Sequence, residues 1–307
     1  MRWASAIATA PDTIAACDQA AAEAAEALGD ARADLVLAFV TDHHAAGFAH
    51  LSRTLARQFP GAAIAGCTVG GAIGGGLEIE HRPALAVTVA RLPGVNAAVH
   101  HLGPDPDTWL APDLDARAVI ALPCPMTSPV DRLVPWLDTV WPTATTVGGL
   151  ASGGMTGRGR PGNTLFAGEA RHREGAVLVT LDGDVAVDTI VAQGCRPVGP
   201  PLFVTKGLGS VILELDGKPA LAALAELHAS MPPADRALCR HSLFIGLARD
   251  GARLGRRDVL VRNLVGCDRA SGALTVAASV EPGQVVQFHL RAIPDLGARA
   301  LATIFAR

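Results

Sequence analysis

The residues best placed to do chemistry fall in two glycine-rich runs. Gly66, Cys67, Thr68, Gly70 and Gly71 make up the first, and Gly148, Gly149, Ser152 and Gly153 the second. Glycine lets another group approach the backbone closely. Successive N–H groups turned to one side form a nest for a carboxylate or phosphate. Both runs are therefore candidate ligand-binding loops, with a tight turn that holds no ligand as the plain alternative. Neither is a nucleotide fingerprint. No Gly-Lys-Ser/Thr follows, no GxGxxG opens a helix, and residues 77–80 (LEIE) read as a strand.

Other reactive side chains carry less. Cys67 would act as a nucleophile or redox sensor only beside a base that lowers its pKa; an unpaired Cys is more commonly a small core residue. Asp42, His43, His44 and His50, with His100 and His101, hold metal-ligating atoms. Adjacent histidines point to different sides, however, and no HExxH occurs. They read as solvated or core residues, so no metal and no cofactor is expected. Arg196, Lys206, Arg262 and Arg291 remain. Arginine grips a carboxylate with two parallel hydrogen bonds, and Arg262 is assigned a ligand contact. Between Arg236 and Arg262, seven arginines oppose only Asp250 and Asp258; such a run reads as a solvated face.

These residues need elements to position them. Asp12 caps a helix that Gly29 ends. Residues 35–40 and 62–67 are short apolar strands, and 47–59 is an amphipathic helix with Phe48, Leu51, Leu55 and Phe59 on one face. A glycine-rich turn (70–76) follows, then strands 85–90 and 95–101 joined as a hairpin at Pro93-Gly94. The order then returns: strand 118–124, helix 129–141, strand 145–150, glycine-rich loop 153–162, strands 176–181 and 185–192. An offset of 83 aligns residues 64–66 with 147–149, and an offset of 91 aligns Ala84 with Gly175. The echo reads as a duplicated strand-helix-strand-strand-strand unit. The expected fold is α/β, with mixed sheets layered with helices. Past a stiff connector at Pro197, Pro200 and Pro201, strands are expected at 211–215, 242–248, 259–265, 273–277 and 285–291, with helices at 219–231 and from Asp295.

Composition excludes several classes. The chain has 307 residues, half of them hydrophobic, with a formal net charge of −3. Disorder is excluded by that balance. Few aromatics and near-neutral charge argue against a nucleic-acid partner. The uncharged run Gln58–Leu77 has the length of a membrane span but contains Pro60 and seven glycines, so no membrane span is expected. No export signal opens the chain. The six scattered cysteines form no CxxC pair, as in a cytoplasmic protein with reduced thiols.

Six strings together resemble the FIST domain: residues 64–80 (IAGCTVGGAIGGGLEIE), 147–154 (VGGLASGG), 194–207 (GCRPVGPPLFVTKG), 214–221 (ELDGKPAL), 261–274 (VRNLVGCDRASGAL) and 281–291 (EPGQVVQFHLR). The resemblance runs from about residue 30 to the end. It implies a bacterial sensory module for signal transduction, related to an F-box protein, that binds a small ligand such as an amino acid. It divides the chain into an extension (1–29), a FIST N-terminal domain (30–220, with repeats 30–103 and 114–194) and a FIST C-terminal domain (221–307). The last is expected to be incomplete at Arg307. The reading is thus an intracellular sensor, not an enzyme, that binds an amino-acid-like carboxylate and signals through a protein partner. The competing readings are a Cys67-dependent enzyme and a scaffold that needs no ligand.

Overall fold

The computed structural model describes residues 1–30, 32–153, 162–189, 194–248 and 259–291. The chain forms two compact units, Met1–Thr189 and Ile190–Arg307. The expected helix from Asp295 and the loop residues 154–161 lie outside the described residues.

The first unit opens with β1 (Arg2–Ala8) and α1 (Thr13–Leu28), then β2 (Leu35–Thr41), α2 (Phe48–Gln58) and β3 (Ala63–Val69). The short strands β4 (Gly71–Gly74) and β5 (Leu77–Glu80) pair as a hairpin, and β6 (Leu85–Arg91) follows. Next come β7 (Val95–Leu102), β8 (Ala118–Pro123), α3 (Val130–Val140) and β9 (Thr145–Gly148). β10 (Leu165–Ala167), β11 (Ala170–His172) and β12 (Ala176–Gly183) complete the unit.

Local rules account for the helices. The Asp12 carboxylate accepts from the Ala15 N–H at 2.8 Å and starts α1, and Gly29, at φ +76°, ends it. α1 buries a stripe of Ala16, Cys17, Ala20, Ala21, Ala24 and Leu28, spaced for one helical face. Asp34 fixes the start of β2: both its oxygens bond Arg91 Nη1 at 2.6 Å, and one also accepts from the Leu92 N–H.

The strands form two mixed sheets, ordered β1-β6-β2-β3-β10-β11 and β7-β12-β8-β9. Alternate residues of β2 explain the layering. Val36, Ala38 and Val40 pack on α1 and α2, whereas Leu35 and Leu37 meet Leu122, Val177 and Val179 of the second sheet. The far face of that sheet, with Val119 and Leu178, covers Leu133 and Leu137 of α3. The layers run helices, sheet, sheet, helix.

The offsets of the expected repeat recur in the hydrogen bonds. Asp34 N–H donates to Ala90 O and Arg117 N–H to Leu181 O, at offsets of 83 and 91. Across the helix the offset becomes 82. Ala38 lies opposite Gly66 in the parallel β2–β3 pair, and Ala121 opposite Gly148 in β8–β9. The structural twin of Gly66 is therefore Gly148, one residue before the Gly149 that the sequence alignment chose. A methyl group added at Gly66 would stand 2.0 Å from the Ala38 carbonyl oxygen, and one added at Gly148 1.9 Å from that of Ala121.

Three local expectations fail. The hairpin at Pro93-Gly94 does not form. β1 already holds the edge of β6, so β7 crosses to pair with β12 along eight positions, from Leu102↔Ala176 to Val95↔Gly183. No strand is formed at Val185–Thr189, because β7 and β8 occupy both edges of β12. The chain's first residues, for which no strand was expected, form β1. Alanine and serine are weak strand formers, and β1 exists by pairing with β6.

The second unit begins with β13 (Cys195–Leu208), which runs straight through the expected connector. Pro200 and Pro201 sit where its ladder with β19 breaks register, between Val198 and Leu202. β14 (Val211–Leu215), β15 (Lys218–Pro219), α4 (Ala220–Ser230), α5 (Pro233–Ser242), β16 (Leu243–Ala248), β17 (Val259–Asp268), β18 (Ala273–Val276) and β19 (Val285–Arg291) follow. The antiparallel order β13-β19-β16-β17-β18-β14 closes through a β13–β14 pairing into a six-stranded barrel. Its interior holds Val204, Ile212, Leu215, Ile245, Val286 and Phe288.

Neither twin glycine should tolerate a side chain. Gly66→Ala, in a strand paired on both sides, is expected to cost about 3 kcal/mol or more. Gly148→Ala should also be strongly destabilising, because its methyl group would meet the Ala121 carbonyl oxygen and its φ of +158° is one that residues with a side chain rarely adopt. Thermal denaturation of the two variants checks this; a native-like melting temperature for either would contradict it.

Candidate functional site

The parallel pairs β2–β3 and β8–β9 end at the same junction, where the two glycine-rich runs meet. Ligands of α/β folds bind beyond the carboxyl ends of such strands. The Gly70 N–H donates to Ser152 Oγ at 3.1 Å, and the Ser152 N–H to Thr68 O at 3.1 Å. Beneath them lies Asn163, 4% exposed. Its Oδ1 accepts from the Gly153 N–H at 2.8 Å and from Thr68 Oγ1 at 3.1 Å. Its amide donates to Ala151 O at 3.1 Å and to Cys124 Sγ at 3.8 Å. Thr68 Oγ1 in turn accepts from the Thr164 N–H at 2.9 Å. Asn163 and Thr164 were not singled out in the sequence. Asn163 stands 95 positions from Thr68 in an unremarkable Gly-Asn-Thr, and nothing local signals their meeting.

Each expected residue has a definite place. Gly66 lies inside β3, where close packing on Ala38 accounts for its lack of a side chain. Thr68 is fully buried, and Gly71 pairs with Glu80 in the β4–β5 hairpin. Gly148 ends β9. Gly149 is exposed, with nothing within 4 Å of where a Cβ would stand. Ser152, three residues further on, is exposed too. Arg262 lies on β17 of the second unit, half-buried, with Nη1 3.3 Å from Val261 O.

Several N–H groups that a nest would use are engaged within the protein. Gly149 N–H donates to Ala121 O, Ala151 N–H to Pro123 O, and the N–H groups of Gly70, Ser152 and Gly153 bond as above. Among the described residues, Thr164 Oγ1 at the junction and Ser128 Oγ after β8 are buried without a hydrogen-bond partner.

Cys67 is 2% exposed, and burial, with Cys124 nearby, pushes its thiol up to about 12. It is protonated at neutral pH, which removes the nucleophile that the enzyme reading needs. The histidines are dispersed. His43 Nδ1 lies 3.7 Å from Asp42, His50 bonds Thr54, and His100 bonds Thr180. His101 stacks on His172 with ring centres 3.5 Å apart. Among the described residues no three ligating side chains gather for a metal. His44, 1% exposed, holds Thr13 Oγ1 at 3.1 Å through Nδ1, and its Nε2 has no partner.

Comparison with known proteins places these features. The FIST N domain model matches residues 34–218 and the FIST C domain model residues 220–307. An uncharacterized protein of Mycobacterium tuberculosis strain H37Rv is 35% identical over 300 residues, covering 95% of this chain and 77% of its own. A second, from Mycobacterium bovis, is 32% identical, with 95% and 76% covered. No helix among the described residues is long and apolar enough to cross a membrane.

Two outcomes follow from the titrating groups. In the folded protein near neutral pH, iodoacetamide should leave Cys67 unmodified while the exposed Cys267 reacts; mass mapping reads this, and rapid Cys67 labelling would restore the nucleophile. Burial holds His44 below its ordinary value of 6.5. The unfolded chain therefore binds the proton first, and the neutral ring's contribution, complete above pH 6.5, fades as pH falls below it. Burial shifts His100, His172 and His289 the same way. The melting temperature should fall on acidification from pH 7 to about 5, and less steeply in His44→Asn. A flat profile would contradict this.

Proposed function

The chain belongs to the FIST family, whose domains are associated with sensory roles in signal transduction, and from that membership we propose that it is an intracellular sensor of a small carboxylate ligand. The ligand, an amino acid or a related acid, binds where the Gly66 and Gly149 runs converge. The observation that carries the reading is the convergence itself. Two glycine-rich loops are tied by the Gly70–Ser152 bond at the carboxyl ends of two parallel strand pairs. Gly149 leaves open space on that edge. A ligand would exchange its own oxygens for some of the internal acceptors, Ser152 Oγ first, and so reorder the loops. A protein partner that distinguishes the two loop states would read the signal. All six cysteines are unpaired, which fits a reducing compartment.

A thermal-shift screen of amino acids, dipeptides and small organic acids tests the proposal. At a hundred times its Kd, a ligand adds about 2.7 kcal/mol, a rise of a few degrees. One carboxylate class should give a saturable rise. Gly149→Asp places a negative charge in open space without a clash, and should abolish the rise without lowering the unliganded melting temperature. A rise for no carboxylate, or one that survives Gly149→Asp, would sink the proposal.

A further inference from the structure

The second unit contains a cleft of about 270 Å³ between α4 and strands β13 and β14. Its walls are apolar. Pro200 and Leu202 come from the interrupted part of β13, Leu215 from β14, and Ala223 and Leu227 from α4. Leu215 is fully buried. α4 is apolar on nearly every side, yet only Ala220 is fully buried among its residues. Leu227 rests against Gly199, where an added methyl group would stand 2.5 Å from its Cδ1. The helix thus lies across the barrel wall without closing the space between.

The rim is charged and asymmetric. Lys218 Nζ donates to both carboxylate oxygens of Glu226, at 2.9 and 2.8 Å, so this pair neutralises itself. Ser230 Oγ is turned back to Leu227 O at 2.7 Å. Asp216 is left over. It sits in a tight turn at φ +48°, followed by Gly217 at φ +77°. Its N–H donates to Phe203 O and its Oδ1 accepts from the Phe203 N–H, at 2.9 and 2.8 Å. These bonds fix the carboxylate in place, and its Oδ2 makes no hydrogen bond among the described residues. One preorganised carboxylate, with no ion pair among the described residues, therefore overlooks an apolar floor, with no aromatic ring among the lining residues.

We propose that this cleft binds a small primary aliphatic amine, with the ammonium on Asp216 Oδ2 and the alkyl chain along Leu202, Leu215 and Leu227. The charge-assisted bond selects the ammonium. The missing aromatic faces give no cage for a quaternary ammonium. The volume, below that of drug-sized pockets, suits a chain of roughly four to six carbons. The inference is independent of the carboxylate site in the first unit, since it concerns another cleft and a ligand of opposite charge.

Amide chemical-shift titrations of the full chain with n-hexylamine, n-hexanol and n-hexanoate near pH 7.5 test it. Hexylamine should saturate shifts at Phe203, Asp216 and Leu227 with a Kd about tenfold or more below that of hexanol, and hexanoate should bind weakest. Asp216→Asn keeps the oxygen acceptor and tolerates positive φ. It should equalise amine and alcohol while the rest of the spectrum is unchanged. Ala223→Leu, which fills the cleft, should weaken both ligands and carries the test if the first variant does not fold. Equal binding of alcohol and amine by the native chain, an amine preference that survives Asp216→Asn, or no saturable shift at these amides would overturn the proposal.

Discussion

The first unit depends on one buried amide. Asn163 uses both lone pairs of its oxygen and both hydrogens of its nitrogen, on Thr68, Gly153, Ala151 and Cys124. Three chain segments converge on it: the end of β3, the end of β8 and the loop after β9. A buried amide is tolerated only when it is satisfied, so the segments must arrive together. Immediately after it, β10 adds to the edge of β3, and Phe166 lies opposite Gly66. Phe166 enters the first core and meets Phe48 edge-on at 5.5 Å. A strand from the second half of the duplication thereby completes the sheet and the core of the first.

That insertion breaks the symmetry that the duplication would otherwise give. α2 and α3 are the same length and end alike, with Phe59 and Trp141 N–H groups bonded to Leu55 and Leu137 carbonyls at 2.9 Å. Both following strands approach their partner at a glycine. β3, however, lies between two strands and is buried, whereas β9 is an edge among the described strands, with Val147 exposed and Leu150 exposed just beyond it. One loop became a packed polar junction and its twin stayed open.

The second unit solves a different problem. Closing six antiparallel strands removes the unpaired edges that open sheets must otherwise protect. The closure needs a long strand that changes partner, and β13 does this: it pairs with β19 on both sides of the break at Pro200-Pro201, as far as Phe203, and with β14 from Val204 onward. The same break leaves the wall that α4 does not seal, so the cleft follows from the barrel's construction.

By itself, the sequence determined the elements whose signals are local. α1 was legible from Asp12, Gly29 and its alanine-rich run, α2 from the spacing of Phe48, Leu51, Leu55 and Phe59, and β2 from its unbroken apolar run; α3 was legible as a helix from Val130, Val134, Leu137 and Trp141, but its buried face carries Leu133 with Leu137 and Trp141, and Val134 is exposed. The recurring offset was legible too; the strand pairing puts Gly148, one residue before Gly149, opposite the counterpart of Ala38. The glycine runs marked both loops, because backbone that must pack closely admits no side chain. Only the tertiary structure decided which strands pair. β7 follows β6 in sequence yet joins β12, because an edge is taken by whichever strand fits it first in space, and β1, poor in strand-forming residues, already held that of β6. It also decided that Cys67 is a buried core thiol and that Asn163 is the hub. Burial and hydrogen-bond satisfaction are properties of what surrounds a group, and those surroundings are built from residues up to 95 positions away.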